Sequence, residues 1–168
     1  YILKKNSGPS GNSNVRILVL MDATSSMSGL LEKCKNNVDT MFDGARKVLV
    51  EKAQDPISFQ VQLAIYRDYD CGLEDILEAS PWETKPEVLR EFMSRISAKG
   101  GGDVEEAIEI GLQHAYKEHL KMPLSQIILI GDAPAKSPKQ IEDYRKTYAG
   151  GESAWTRAFA TPVHTHRT

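Results

Sequence analysis

The chain has 168 residues, of which 26% are charged and 40% hydrophobic, and its formal net charge is −2. This length fits about one domain with a real core, and the near-neutral charge argues against nucleic acid or an anionic membrane surface as the partner. The apolar runs are too short to span a bilayer, and two cysteines rule out a disulfide framework.

The two ends of the chain differ in composition from the middle. Residues 6–13 read NSGPSGNS, so we expect a flexible leader over 1–13 and one domain over 14–168. The first residue is Tyr1 rather than Met, which predicts a piece of a larger polypeptide. In such a piece the fold can be truncated at its C-terminal end, with its last strand and helix outside these residues. The first residues resemble no secretory signal, so the expected location is intracellular, in the cytoplasm.

Strand and helix patterns alternate along the domain. Residues 15–21 are apolar apart from Arg16, as in a central strand covered on both faces. Apolar residues then recur every three or four positions over 29–49, which predicts one long helix. Residues 58–66 alternate as in an edge or near-edge strand, and residues 76–79 are a candidate for a short neighbouring strand.

The second half of the chain continues this alternation. Its patterns predict, in order, a helix over 87–98, a helix over 104–120, a buried strand over 127–130, a helix around 141–148 and a strand over 161–168. Because right-handed crossovers dominate such chains, the fold class is α/β, with a doubly wound, mostly parallel central sheet and helices on both faces.

Three acidic residues lie where the strands of this sheet are expected to end. Asp22 and Asp132 directly follow the two predicted buried strands, and Asp103 lies in a glycine loop before a helix. Since sites in such sheets gather at the carboxyl ends of the strands, we expect the three carboxylates to meet. Converging carboxylates repel one another, and a divalent cation removes that conflict.

Two hydroxyl side chains extend the predicted ligand set. Thr24 and Ser26 follow Asp22 by two and four residues, and a tight loop can turn these alternate side chains inward together. Oxygen ligands without sulfur or imidazole suit a hard ion, which favours Mg²⁺, with Mn²⁺ as a substitute and Ca²⁺ less favoured. The predicted metal ligands are Asp22, Thr24, Ser26, Asp103 and Asp132.

These residues resemble a known family, the von Willebrand factor A (vWA) domain with its metal-ion-dependent adhesion site. The run Asp22-Ala23-Thr24-Ser25-Ser26 fits the family's first loop, Asp-x-Ser/Thr-x-Ser, and Gly131-Asp132 after an apolar strand is similar to its third loop. The second loop usually supplies a threonine, whereas this chain has Gly102 followed by Asp103. The resemblance covers residues 14 to about 149.

Within the family, the chain looks most similar to the intracellular vWA domains associated with alpha-type kinases. That similarity lies in three short runs, Tyr66-Arg67-Asp68, Gly101-Gly102-Asp103 and Asp132-Ala133-Pro134. The resemblance implies a Rossmann-like fold and a protein–protein interaction module that is not an enzyme. Its Mg²⁺ would bind a Glu or Asp supplied by a protein partner.

Other interpretations remain open at the level of the sequence. A metal-dependent hydrolase or phosphotransferase also places acids at strand ends, although the first strand runs into Asp22-Ala23-Thr24 rather than a GxxxxGK[ST] loop. A metal-free scaffold domain is a third possibility. Asp103 is equally expected to cap the helix after it, and Arg67 and Asp68 are expected to form an ion pair with each other rather than to serve the metal.

Overall fold

The computed structural model describes residues 15–52 and 59–159. Within these two ranges the chain forms four strands and five α-helices. In chain order they are β1 (Val15–Asp22), α1 (Ser28–Lys52), β2 (Phe59–Tyr66), β3 (Leu77–Ala79), α2 (Pro86–Arg95), α3 (Ile108–Lys121), β4 (Gln126–Ile130), α4 (Pro138–Tyr148) and α5 (Glu152–Phe159). The predicted leader over 1–13 and the predicted strand over 161–168 lie outside the described residues.

The strands form one sheet in the order β3-β2-β1-β4. β1 pairs in parallel with β2 and with β4, and β3 runs antiparallel to β2. The predicted α/β fold with a mostly parallel sheet is therefore confirmed. The register aligns Asp22 with Tyr66 and Met21 with Ile130, so that the carboxyl ends of three strands meet at one edge of the sheet.

Helices cover β1 from both sides, as its apolar sequence predicts. Ile17 and Val19 point to one face, where they join the core formed with α1 and α2. Leu18 and Leu20 point to the other face, where they pack with Ala115 of α3. The strand that carries Asp22 is thus held rigidly at the centre of the molecule, and the position of its last residue is fixed by packing on both sides.

Two helices are shorter at one end than predicted, by three or four residues. The helix predicted over 104–120 begins instead at Ile108, because the segment before it pairs with the loop after β4: the Glu106 N–H donates to the Pro134 carbonyl at 2.8 Å, and the Lys136 N–H donates to the Glu106 carbonyl at 3.0 Å. The helix predicted over 87–98 ends at Arg95, since Ile96 already has an extended backbone.

The fifth helix was not predicted at all. α5 follows Gly150 and Gly151, both of which have positive φ angles, at 70° and 91°. It packs the buried side chain of Trp155 against Tyr69, with ring centroids 5.3 Å apart. Trp155 and Phe159 lie four residues apart, with ring centroids 4.0 Å from each other, so a short apolar pattern of helical spacing and the tertiary packing of Trp155 together account for the helix.

The strand predicted over 127–130 is confirmed, but the prediction that it is buried is wrong. β4 lies at the end of the sheet as the structure describes it, and Ile127 and Leu129 are 45% and 46% exposed. On α3, which packs against β1 and β2, Leu112, Tyr116 and Leu120 are exposed as well. β4 therefore presents an apolar sheet edge to solvent, although its carboxyl end still lies beside Asp22 of β1.

Candidate metal centre

The first loop begins at the buried end of β1. Asp22 is fully buried, and its Oδ1 accepts a hydrogen bond of 2.7 Å from the Thr24 N–H, which forms an Asx-type turn. Thr24 Oγ1 lies 3.3 Å from Ser26 Oγ, and the Ser26 hydroxyl donates to Asp132 Oδ1 at 3.2 Å. The structure thus brings four of the five predicted ligands into one connected group.

Glycines let the second and third loops approach this group closely. Gly101 has a φ angle of 83°, and a Cβ placed on it would lie 2.9 Å from Thr24 Cβ. A Cβ on Gly131 would lie 2.9 Å from Tyr66 Oη and 3.6 Å from Asp22 Cβ. Any larger residue at these two positions would push the loops away from Asp22 and Thr24.

A further acid, Glu106, belongs to the same group. Its side chain is buried, and its Oε1 lies 3.3 Å from the position of a Cβ on Gly101, the glycine that also contacts Thr24. The sequence pattern does not identify Glu106 as a ligand, because the helix predicted from residue 104 places it inside a helix. The sequence feature that could identify Glu106 as a ligand is its position three residues after Asp103. This position is informative only when the start of the following helix is known.

Together, Asp22, Thr24, Ser26, Glu106 and Asp132 form what we call the oxygen cluster. Two buried oxygen atoms of the cluster, Asp22 Oδ2 and Glu106 Oε2, have no hydrogen-bond partner in the described part of the chain. The same holds for Tyr66 Oη, next to the cluster. An unpaired buried polar atom is costly, by about 1–3 kcal/mol each. Because the two carboxylate oxygens can only accept when ionised, the group that would satisfy them is a donor or a cation.

The pKa values of the oxygen cluster also indicate that its acids are not compensated by a positive charge. Burial raises the pKa of Asp22, although hydrogen bonds from Thr24 oppose this, and the charge of Asp132 raises it further. Burial, followed by the charge of Asp22, raises the pKa of Glu106 to about 7. Burial and the surrounding acids also raise the pKa of Tyr66. Each negative charge in the cluster therefore disfavours the others, and a bound cation would reverse these shifts.

The structure places Asp103 in a second group, centred on the fully buried side chain of Lys136. Lys136 Nζ lies 2.9 Å from Asp68 Oδ2 and donates to both carboxylate oxygens of Asp103 at 2.9 Å. The amine also donates to the Glu105 carbonyl and lies 4.4 Å from the centre of the Tyr144 ring. The Tyr144 hydroxyl donates to Asp103 Oδ2 at 2.7 Å. Asp68, Asp103, Lys136 and Tyr144 form the lysine cluster.

In the lysine cluster the amine largely compensates the acids. Burial would lower the pKa of Lys136, but the hydrogen bonds to Asp103 and Asp68 raise it. Burial alone would raise the pKa of Asp103, yet hydrogen bonds from Tyr144 and Lys136 hold it below its usual value. Asp68 is the more deeply buried acid, and burial raises its pKa to about 6. Its Oδ2 lies 2.9 Å from Lys136 Nζ, and this contact opposes the effect of burial on the Asp68 pKa.

The predicted ion pair between Arg67 and Asp68 is wrong. The Arg67 guanidinium pairs with Glu78 at 2.7 Å and donates to the carbonyls of Ser97 and Asp75. Asp68 points instead to Lys136. The two neighbouring residues face different partners because successive residues of an extended chain point to opposite sides.

Carboxylates alone do not form a complete metal site here. Within residues 15–52 and 59–159, no three or more Asp, Glu, His or Cys side chains are arranged to hold a metal ion by themselves. The oxygen cluster differs from such a site because the hydroxyls of Thr24 and Ser26 lie between its acids. A cation bound there would need these hydroxyls as ligands, together with oxygens from water or from another molecule.

Comparison with known proteins places the oxygen cluster inside a recognised domain. Residues 16–153 match the family model of the von Willebrand factor A domain. No curated protein matches the chain. Among the helices that the structure describes, none is both long and apolar enough to cross a membrane. The matched range contains all three loops that supply the oxygen cluster and the lysine cluster.

Proposed function

Because the chain belongs to the von Willebrand factor A domain family, we propose that it binds a protein partner through Mg²⁺ held in the oxygen cluster. The family is commonly a protein-interaction module. In the proposed complex, the partner contributes the carboxylate of a Glu or Asp to the metal. Mn²⁺ or Ca²⁺ would be the alternative ions, since the ligands are all hard oxygens.

The observation that carries this proposal is the pair of buried, unpartnered carboxylate oxygens, Asp22 Oδ2 and Glu106 Oε2, in the described structure. The negative charge of Asp22 disfavours the ionised form of Glu106 in the absence of a positive charge, and the Thr24 hydroxyl bonds to the Glu106 side chain. A divalent cation supplies that charge and accepts oxygen ligands without needing a proton. The residues present therefore fit the group that the family suggests.

We propose Asp22, Thr24, Ser26 and Asp132 as metal ligands, as the sequence predicts, with Glu106 as the ligand from the second loop. Asp103 then acts indirectly, by holding Lys136 and the second loop in place. Both of its oxygens already accept hydrogen bonds from Lys136. The bound metal would supply the positive charge to which a partner carboxylate coordinates.

The geometry also favours a partner that arrives from solvent. Asp22 and Glu106 are buried, whereas Ser26 and Asp132, on the outer side of the cluster, are exposed. Ligands on one side and solvent on the other leave room for a carboxylate from another molecule. From the runs Tyr66-Arg67-Asp68, Gly101-Gly102-Asp103 and Asp132-Ala133-Pro134 we also propose that the domain is part of a larger intracellular, kinase-associated polypeptide.

A hydrolase or phosphotransferase is less well supported. Such chemistry needs a general acid or base within reach of the metal-bound substrate. Lys136, whose charge acts on Glu106, is fully buried and held between Asp68 and Asp103. This arrangement favours binding over catalysis, and we therefore propose a module that is not an enzyme.

Calorimetric titration of the chelator-stripped chain with Mg²⁺, Mn²⁺ and Ca²⁺ tests the metal site. Asp22→Asn is the informative variant, because the amide oxygen can still accept from the Thr24 N–H while the charge is lost. We expect Mg²⁺ affinity to fall by about a hundredfold or more, which is about 2.7 kcal/mol.

Asp43→Asn is the matched control. Asp43 is an exposed residue of α1, 15 residues after the start of that helix and therefore roughly 22 Å along it. It should bind Mg²⁺ like the unchanged chain. Equal affinities of Asp22→Asn and the unchanged chain would refute the site, provided that circular dichroism shows both to be folded.

A further inference from the structure

The surface around the oxygen cluster has an excess of acidic residues. Four segments form this edge of the molecule: 22–28, 67–72, 97–107 and 131–137. They contain seven Asp and Glu residues and three Lys and Arg residues. Which of these charges remain uncompensated decides the kind of partner that the surface accepts.

All three basic side chains of these segments are already paired. Lys136 is buried in the lysine cluster. Arg67 is 1% exposed and pairs with Glu78, and Lys99 Nζ lies 2.6 Å from Asp75 Oδ2. Because Glu78 and Asp75 come from outside the four segments, they cancel Arg67 and Lys99. The acids of the oxygen cluster therefore receive no compensation from these two cations.

Asp70 is an exposed acid beside the oxygen cluster. It lies in a single turn of 3₁₀ helix after β2, and its Oδ1 accepts a hydrogen bond of 3.2 Å from the Gly101 N–H. A Cβ on Gly101 would lie 2.9 Å from Thr24 Cβ, so Gly101 lies close to both Asp70 and a proposed metal ligand. In the part of the chain that the structure describes, Asp70 has no salt-bridge partner within 4.0 Å.

A partner carboxylate would therefore enter a negative environment even with the metal present. The three acids of the oxygen cluster, Asp22, Glu106 and Asp132, exceed the charge of one divalent ion when all are ionised, and Asp70 adds a further charge at the rim. The repulsion from this excess weakens the coordination of the partner carboxylate to the metal. A cation next to that carboxylate removes the repulsion and gives Asp70 a partner.

We propose that the partner segment carries a Lys or Arg next to its metal-binding Asp or Glu, and that this cation pairs with Asp70. This inference rests on the proposed function, since it concerns the partner of the same site. The recognised unit is a peptide segment in which an acid and a base lie side by side. The acid of this segment would coordinate the metal held by the two buried, unpartnered oxygens, and its base would lie beside Asp70.

A displayed peptide library tests this pairing without knowledge of the natural partner. Each peptide has a fixed central Asp with three random residues on either side. Peptides are captured on the immobilised chain in Mg²⁺, eluted with chelator and sequenced. On the unchanged chain we expect Lys and Arg to be enriched beside the central Asp.

Asp70→Asn should abolish this enrichment, while its amide oxygen can keep the bond from the Gly101 N–H. Asp43→Asn, the distant control, should retain it. For one selected peptide, Asp70→Asn should weaken binding about tenfold, and replacement of the peptide's Lys or Arg by Ala should cause no further loss in Asp70→Asn, as expected of two groups in contact.

The possible failures are distinguishable. Chelator-eluted peptides without basic enrichment, or with equal enrichment on Asp70→Asn, would overturn this inference and leave the metal-dependent function intact. The absence of any chelator-eluted peptide would overturn the proposed function itself, and the inference with it. Enrichment that is lost in Asp43→Asn as well as in Asp70→Asn would show a general charge effect and would also overturn the pairing.

Discussion

The oxygen cluster and the lysine cluster lie at the same edge of the sheet and are both built from acids, yet they are neutralised differently. In the lysine cluster, one buried amine contacts Asp68 and Asp103 at 2.9 Å. In the oxygen cluster, Asp22 and Glu106 each keep a buried oxygen for which the described chain supplies no partner. The chain thus provides the cation for one group of acids and leaves the other group without one.

This difference separates a structural role from a binding role. Buried charges stabilise a fold only when each is paired, because desolvation is costly. The lysine cluster meets that condition and connects β2, the second loop and the third loop. The oxygen cluster does not meet it, so its acids lower the stability of the free protein, and a cation from outside would relieve that cost. The following experiments test this contrast, from the largest expected effect to the smallest.

Lys136→Met should cause the largest loss of stability. The substitution leaves Asp68 and Asp103 without their cation, and removal of one partner of a buried pair costs about 3–5 kcal/mol. Urea unfolding measures the change in the free energy of unfolding. Lys139→Met, at a lysine whose side chain is 86% exposed, is the control and should change it by less than about 0.5 kcal/mol. Similar stability of the two variants would show that the lysine cluster is not a structural pair.

In chelator, the free energy of unfolding should fall as the pH rises from about 4.5 to about 7. Glu106 has a pKa of about 7 in the folded chain against 4.5 as its ordinary value. The folded state therefore holds the proton to higher pH than the unfolded state, and ionisation destabilises it, by at most about 3 kcal/mol. Its contribution becomes constant only above about pH 8, where Glu106 is ionised in both states.

Thermal unfolding at a series of pH values measures this slope. Glu106→Gln should reduce it, and Glu105→Gln, at the neighbouring acid, should not. Of the remaining slope, Asp22 and Asp68, whose pKa values are raised by burial, contribute in the same direction, and His114, whose pKa is lowered by burial, contributes in the opposite direction. Equal slopes in Glu106→Gln and Glu105→Gln would contradict an uncompensated Glu106 in the oxygen cluster.

Glu106→Gln should weaken Mg²⁺ binding by about tenfold, or about 1.4 kcal/mol, because a neutral amide oxygen replaces a carboxylate ligand. Glu105→Gln again serves as the control, since its residue contributes only its backbone carbonyl, to Lys136. Titration calorimetry compares the two. If Glu106→Gln binds Mg²⁺ as tightly as Glu105→Gln does, Glu106 is not a ligand, and the second loop contributes in another way.

The smallest effect is expected for Asp103→Asn. Since Asp103 belongs to the lysine cluster, its replacement should weaken Mg²⁺ binding by about threefold or less, through a small shift of the second loop. Asp132→Asn should weaken it by about tenfold, which is about 1.4 kcal/mol. The opposite order in titrations would return Asp103 to the ligand set and would remove the distinction between the two clusters.

The sequence was sufficient for the features that depend on local order along the chain. The run from Asp22 to Ser26 and the pair Gly131-Asp132 each follow a strand, and parallel strands bring their carboxyl ends together without further information. Four of the proposed ligands follow from this rule. The fold class follows from the same alternation of strands and helices.

The remaining part of the site depends on contacts between distant residues. Glu106 lies in the oxygen cluster because it pairs with the loop around Ala135, which delays the start of α3 to Ile108. Asp103 lies in the lysine cluster because Lys136, 33 residues away, reaches it. No local pattern shows which acid in GGGDVEE meets a lysine and which does not. The exposure of β4 likewise depends on its neighbours in the sheet, and its own apolar sequence does not show it.

The exposed strand β4 has a practical consequence for these measurements. An edge strand offers its backbone as a template for another chain, and Ile127-Ile128-Leu129-Ile130 is an apolar, uncharged run with high β propensity. Such a run is prone to aggregation, and we expect self-association of concentrated solutions to begin at β4. The oxygen cluster lies at the carboxyl end of the same strand, so aggregation from β4 would also restrict access to the site.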